Sequence, residues 1–307
     1  MRRAVMDVGS GSVLLLVAER DESTGRWHRV FESSHISMLG DGLLSTGFLR
    51  EDRVFETLGA LAVGFDTARA HGATEIFAAG TAALRIARNA DDFRARAEAQ
   101  GTPVAVLSGD REAELAFLAV AEDPRFSDAE QLAVIDPGGQ STELVIAERD
   151  GDGWRETFRH SFHIGTLQMR AAVLTSDTPH PSEILPASSW IDDTIGTHIA
   201  PANVTRVVTL GAPATDLVTL REGWPDWRPD EVHGAWLDYE EVGKAVGWLM
   251  RLSVAERSAL PGIQPARGTT IHLAALILER FLNALNAHGT FVSIRGWRWP
   301  MLDRMTA

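Results

Sequence analysis

The sequence predicts an α/β protein made of two related halves. Three observations point there. Strand-like and helix-like stretches alternate through the first half. The pattern Asp-x-Gly-x-x-Ser occurs at Asp7–Ser12 and again at Asp136–Ser141. Both copies lie between apolar runs, Arg3–Met6 and Val13–Val17 around the first, Leu132–Ile135 and Leu144–Ile146 around the second. These runs read as buried strands entering and leaving a tight turn. A lone hexapeptide of this kind is ordinary hairpin chemistry. Two of them, one opening each half, indicate a duplicated phosphate-binding fold.

The elements follow in order. Trp27–Ser37 reads as a strand, and Arg50–Ala70 has helical spacing that closes at His71-Gly72. Glu75–Ala79 is a short strand leading into Gly80–Arg85. Asn89–Gln100 is a helix stopped by Gly101 and Pro103. Val104–Leu107 is a strand, and Ser108-Gly109 turns it into a helix from Glu112 to Ala121. The polar, proline-bearing stretch Asp123–Asp128 sets the expected domain boundary, giving residues 1–126 and 127–307. The second half restarts with strand, turn and strand. Thr175–Pro186 reads as a loop from its Pro, Ser and Thr content, followed by a helix to about Ile199. Val204–Leu210 is a strand running into a small-residue turn at Gly211–Thr215. Trp224, Trp227 and Trp236 fall in a Pro-rich acidic segment to which periodicity assigns no element. Thr270–Asn286 puts Ile271, Ala274, Leu278, Phe281 and Leu285 on one face, a buried helix with Gly289 beyond its end.

Composition narrows the function. A chain of 307 residues with 45% apolar content can bury a core large enough for two domains. It has no cysteine, which removes disulfides, thiol nucleophiles and thiolate zinc sites and fits a reducing compartment. No segment approaches the roughly 20 apolar residues of a membrane span, so a soluble cytoplasmic protein is expected. A formal charge of −13 argues against broad binding to nucleic acid or anionic membrane. Lys244 is the single lysine, so cationic contacts to phosphate fall to arginine, whose planar fork suits oxygen pairs.

Glycine lets backbone N–H groups approach a phosphate without a Cβ in the way, and hydroxyls add donors. The candidate phosphate-binding residues are therefore Gly9, Ser10, Gly11 and Ser12 in the first loop, with Gly138, Gly139, Ser141 and Thr142 in the second. Asp7 and Asp136 at the strand ends can hold a hydrated Mg2+, and Glu143 closes the second loop beside that site. Glu112 admits two readings. It suits the positive end of its helix, and it also suits a general base that orients water against a phosphoric anhydride. Arg85 follows a Gly-Thr turn and can cap a phosphate, whereas Arg88 one turn on reads as a solvated face. His160 and His163, three apart on a strand, point to opposite faces and read as packing or surface groups, as does His272 on its apolar helix.

Together these motifs resemble the exopolyphosphatase and guanosine-pentaphosphate phosphatase family, Ppx/GppA, of the actin, hexokinase and Hsp70 superfamily. The resemblance spans nearly the whole chain. Asp7–Ser12 is similar to the family's first phosphate loop, usually Asp-x-Gly-Ser-Asn-Ser, and Gly80–Arg85 to its Thr-Ser-Ala-x-Arg segment. Leu107–Leu118 resembles the catalytic-glutamate motif, which implies the general-base role for Glu112 and a catalytic role for Arg85. Asp136–Glu143 resembles the second loop, Asp-Ile-Gly-Gly-Gly-Ser-x-Glu. Ser161–Gly165 and Val292–Gly296 fall where the family has a Ser-x-x-x-Gly strand and a late Arg-Gly segment.

The resemblance implies two actin-like (ribonuclease H-like, ASKHA) domains with a cleft between them, in the short form that lacks a C-terminal helical domain. It implies Mg2+-dependent removal of terminal phosphate from inorganic polyphosphate, or from guanosine pentaphosphate in the stringent response, with polyphosphate or guanosine penta- or tetraphosphate as binding partners, and homodimers are common in the family. Gly11 replaces the usual Asn, Pro137 and Gln140 replace an apolar residue and a Gly, and Trp297–Pro300 stands where Leu-Arg-Glu-Gly is usual, so Trp299 replaces a carboxylate. Gln140 and Trp299 motivate an alternative, a weak or inactive member that senses polyphosphate or an alarmone. A kinase on the same fold is a third reading, against which Glu112 in its family-like setting has no kinase counterpart.

Overall fold

The computed structural model describes residues 1–199 and 204–305. The chain forms two compact units, Met1–Leu115 with Trp297–Ala307, and Ala116–Gly296. Among the described residues the first unit has a five-stranded sheet of β1 (Arg2–Val8), β2 (Val13–Arg20), β3 (Trp27–His35), β4 (Glu75–Gly80) and β5 (Ala105–Val106), in the order β3-β2-β1-β4-β5. The β1–β2 and β2–β3 pairs are antiparallel, and β1–β4 and β4–β5 are parallel. The second unit has β6 (Gln131–Pro137), β7 (Thr142–Asp150), β8 (Gly153–Phe162), β9 (Val207–Leu210), β10 (Trp236–Asp238) and β11 (Gly289–Ser293), in the order β10-β11-β9-β6-β7-β8. Read from its other edge, β8-β7-β6-β9-β11 repeats the first sheet strand for strand and direction for direction. The repeated hexapeptide therefore marks a repeated fold, with β10 added at one edge.

Each face of the first sheet is covered by a different part of the chain. Helix Glu51–Ala70 buries Val54, Leu58, Leu61 and Phe65, spaced for one helical face, in a cluster with Met6, Leu15 and Val17. The opposite face carries Val5, Leu16, Ala18 and Ala79, and these pack with Trp297, Trp299, Met301 and Leu302. That packing explains why the last residues belong to the first unit and not, as the sequence suggested, to the second. The division also falls at Leu115/Ala116, inside the helix Gly109–Ala121, instead of at 126/127. The polar break used as a boundary marker is a 3-10 turn, Pro124–Phe126, in which Asp123 accepts from the Arg125 N–H at 3.0 Å and Phe126 is buried. An unbroken helix gives composition nothing to mark.

Other differences have local causes. A helix runs Pro181–Gly196, starting inside the expected loop, because His180 and Glu183 form a reciprocal cap and Pro181 suits a first helical position. The expected turn at Gly211 is where helix Ala212–Glu222 begins, with Gly211 at φ 70 reversing the chain. The unassigned Trp segment supplies a short helix, Pro229–Val232, and β10. Helix Ile271–Ala284 forms as expected at the centre of the second core, and Gly289 opens β11. No helix of the described residues is long and apolar enough to cross a membrane.

His272 on that helix is 2% exposed, and burial, with Arg257 nearby, lowers its pKa from 6.5 to about 3. It is a neutral core group. The unfolded chain takes up the proton near pH 6.5 and the folded one only near 3, so His272 costs stability progressively as pH falls through that window, by about 1.4 kcal/mol per pH unit. His272→Leu is expected to flatten the acid side of the stability curve between pH 6 and 4 and to leave stability above pH 7 little changed. Urea unfolding across that pH range measures it, and an unaltered slope would show that other groups govern acid stability.

Candidate functional site

The two loops are built alike. In the first, β1 and β2 end at the pair Val8↔Val13 and the Gly9 N–H donates to the Ser12 carbonyl at 2.9 Å. In the second, β6 and β7 end at Pro137↔Thr142 and the Gly138 N–H donates to the Ser141 carbonyl at 2.8 Å. A Cβ on Gly9 or Gly138 would lie 3.1 or 3.0 Å from those same carbonyls, so glycine fits both starts best. Pro137 costs no ladder bond, since β6 pairs with β9 only as far as Ile135↔Thr209.

Carbonyls in each loop are tied to a neighbouring segment. In the first loop the Ser10 carbonyl accepts from the Gly40 N–H at 2.8 Å and the Gly11 carbonyl from the Met38 N–H at 2.9 Å. In the second, the Gly138 carbonyl accepts from Thr166 N–H at 3.1 Å, and the Gly139 carbonyl from Leu167 and Gln168 N–H at 2.8 and 3.3 Å. Because a trans peptide sets its C=O and N–H in opposite directions, tying these carbonyls turns the N–H groups of Gly11 and Ser12, and of Gly139 and Gln140, the other way. That is the arrangement an anion requires. The Gln140 side chain is buried, at 5% exposed, and its N–H direction is set by the tied Gly139 carbonyl whatever the side chain. At the matching position Gly11, an added Cβ would meet nothing within 4 Å.

The segment Ser161–Gly165 shapes the second loop. The Thr142 hydroxyl donates to the Ile164 carbonyl at 2.7 Å, and the Ser141 and Ser161 hydroxyls both donate to Glu143 Oε1, at 2.8 and 2.7 Å. Ser141 and Thr142 thus direct their hydroxyl protons within the loop's own support, leaving backbone N–H as its donors toward a phosphate. A Cβ on Gly165 would lie 2.4 Å from the Gly139 carbonyl oxygen and 2.5 Å from Gln140 N, so this glycine is fixed by close backbone approach. Asp136 and Glu143 are direct cross-strand partners, which sets two carboxylates on one side of the sheet. Their donors are all oxygen, as Mg2+ prefers, and Mg2+ needs only one or two carboxylates when water and phosphate supply the rest. No group of three or more His, Asp or Glu residues suited to a metal occurs among the described residues. Asp7 holds the corresponding place in the first unit, opposite Leu14.

In the first unit the parallel strands β1, β4 and β5 end in step, at Val8, Gly80 and Val106. Ligands gather at such carboxyl ends. The loop Gly9–Ser12 leaves the first, Thr81 with Arg85 follows the second, and Leu107 to Glu112 follows the third. The Leu107 N–H donates to the Gly80 carbonyl at 3.0 Å and the Glu112 N–H to the Ser108 carbonyl at 2.9 Å, which places Glu112 in the first turn of its helix. Arg85 Nη1 donates to Glu112 Oε2 at 2.5 Å and to the Leu107 carbonyl at 3.1 Å. Glu112 is 8% exposed. Glu112 is thus a mostly buried carboxylate paired with a half-buried arginine and not a solvated helix end.

The family profile described as the Ppx/GppA phosphatase family matches residues 16–306. The chain belongs to the Ppx/GppA phosphatase family. Exopolyphosphatase 2 of Mycobacterium tuberculosis is 25% identical over 295 residues, covering 92% of this chain and 91% of that protein. Exopolyphosphatase 1 of Mycobacterium leprae is 27% identical over 300 residues, covering 93% and 84%. The crystal structure of the Aquifex aeolicus Ppx/GppA family member aligns with a TM-score of 0.80 at 27% identity, covering 100% of this chain and 99% of that one. An exopolyphosphatase-like protein aligns with a TM-score of 0.90 at 23% identity, covering 100% and 99%, and shows the shared fold. The actin-like α/β fold expected from the resemblance is thereby established.

Within this Ppx/GppA chain, Trp299 is 9% exposed and packs in the cluster on the sheet face of Val5 and Leu16. It is a core residue. His160 stacks on His198 at 3.9 Å between ring centres, its pKa lowered by burial and then by His198, while His163 is exposed. They form no ligand pair. The supporting segments Met38–Gly40 and Thr166–Gln168 carry no chemical side-chain signal, and sequence reasoning passed over them.

Proposed function

We propose that this Ppx/GppA phosphatase hydrolyses terminal phosphate from inorganic polyphosphate with the help of Mg2+. The observation that carries the reading is Glu112, mostly buried and held by Arg85 at the carboxyl ends of three parallel strands. In this mechanism Glu112 orients a water, the water oxygen bonds to the terminal phosphorus, and the bond from that phosphorus to the bridging oxygen breaks. The proton passes to a Glu112 oxygen and orthophosphate leaves. The N–H groups turned outward in each loop bind phosphate oxygens, and Arg85 adds a cationic donor. In the second unit Asp136 and Glu143, paired across the strands, would hold Mg2+ directly or through water, Asp7 keeps the corresponding place in the first unit, and the ion, when bound, would offset the charge of the phosphate chain.

Polyphosphate is favoured over guanosine pentaphosphate by the names of the two mycobacterial relatives. The sensor alternative rested on Gln140 and Trp299. The tied Gly139 carbonyl sets the Gln140 N–H direction, and Trp299 fills a core, so neither residue argues for lost chemistry. The test is orthophosphate release from long-chain polyphosphate and, separately, from guanosine pentaphosphate, with Mg2+ and with EDTA. Release from polyphosphate that EDTA abolishes is expected. Binding of either compound without release would favour the sensor.

A further inference from the structure

We infer that Met38 is a positioning residue for the first phosphate loop, acting through its backbone. The inference rests on the phosphate-binding reading of that loop and goes beyond the residues that touch substrate. Between β3 and helix Glu51–Ala70 the chain passes the loop and donates two hydrogen bonds to it, Met38 N–H to the Gly11 carbonyl and Gly40 N–H to the Ser10 carbonyl. Their acceptors are adjacent residues. A regular antiparallel ladder pairs alternate residues, so the stretch 38–40 has to contract to reach both. Met38 supplies the contraction. Its φ is 53, in the left-handed region that side-chain-bearing residues avoid, and the Asp41 N–H closes the turn onto the Met38 carbonyl at 2.9 Å.

An unfavourable backbone of this kind persists where the surroundings over-determine it, and such places gather at ligand sites. Here the surroundings are plain. Ser37 and Leu39 on either side are fully buried, Leu39 in the core beneath helix Glu51–Ala70. They anchor the segment on the protein side while its two N–H groups hold the loop carbonyls. With those carbonyls held, the Gly11 and Ser12 N–H groups point away from the segment. Neither Gly11 nor Ser12 donates its N–H to an acceptor among the described residues. Met38 therefore sets where the loop's donors aim without touching a ligand.

The experiment is a graded series at one position. Left-handed backbone is easiest for Gly, next for Asn, harder for Met, and hardest for β-branched Val. Binding of inorganic tripolyphosphate to the full chain is measured by calorimetry at a temperature where each variant is folded, alongside Tm and the amide shifts of 15N-labelled Gly11 and Ser12. Met38→Gly and Met38→Asn are expected to bind within about twofold of the natural chain, and Met38→Val to bind at least tenfold more weakly, with shifted Gly11 and Ser12 amides. A folded Met38→Val with unchanged affinity would overturn the inference, and so would an Asn variant that binds no better than a Val variant of equal Tm. If the natural chain itself binds no tripolyphosphate, the phosphate-binding reading fails and this one fails with it. Binding by the natural chain that is indifferent to the series removes the Met38 inference alone.

Discussion

Glu112→Gln is expected to lower phosphate release from long-chain polyphosphate by about a thousandfold, within the range of roughly 10²–10⁴ that a positioned general base contributes. Glutamine keeps the size of the side chain and a carbonyl oxygen to accept from Arg85, so the contact at the head of helix Gly109–Ala121 survives. What it lacks is the basicity to take the water's proton. The loss should appear in kcat, with KM and tripolyphosphate affinity within about twofold of the natural chain, because the loops proposed to bind phosphate are untouched. Steady-state kinetics with the two affinities decide it. Release by the variant at the natural rate would remove Glu112 from the mechanism.

The second large effect is expected at Arg85. Its guanidinium bridges the Leu107 carbonyl and Glu112 beside the carboxyl ends of the parallel strands. Arg85→Met removes the bridge and takes the cationic partner away from a mostly buried carboxylate. Both parameters should suffer, with kcat down by about a hundredfold from a misaimed base and KM raised by about tenfold from the lost donor. Arg85→Lys is expected to recover part of the KM effect and little of kcat, since one ammonium supplies charge but cannot hold both acceptors in one plane. A Met variant altered in KM alone would show that Arg85 binds substrate and does not position Glu112.

The duplicated fold was legible because its mark is local. Each copy needs a glycine where the hairpin turns onto its own carbonyl and an acidic residue where the strand ends, so Asp7–Ser12 and Asp136–Ser141 repeat the same short pattern. Helix Ile271–Ala284 was legible for the same reason, since a helix buried nearly all round must be apolar nearly all round. Glu112 was visible as a choice between a helix-end carboxylate and a base. Its burial beside Arg85 sets it apart from a solvated helix end and supports the proposed base, and that pairing joins residues 27 positions apart in the chain.

Other features had no local mark. The return of Trp297–Leu302 to the first unit depends on which sheet face lies open, and no composition shift announces that. The boundary lies inside a continuous helix, while the polar break chosen for it is a capped turn. Gln140 looked like an obstruction because sequence records its side chain. The structure shows the peptide, whose direction is set by the Gly139 carbonyl and the N–H groups of Leu167 and Gln168.

By itself, the sequence determined the family, the repeated α/β plan and the list of residues able to do the chemistry, because strand, turn and motif requirements act over a few neighbours. Only the tertiary structure decided how those residues are aimed: Thr142 and Ser141 turned inward, Glu112 paired with Arg85, and the loop N–H groups turned outward by Met38, Gly40 and the helix after Gly165. The physical reason is that a peptide's direction is fixed by the hydrogen bond its carbonyl makes, and the donors of those bonds come from distant parts of the chain.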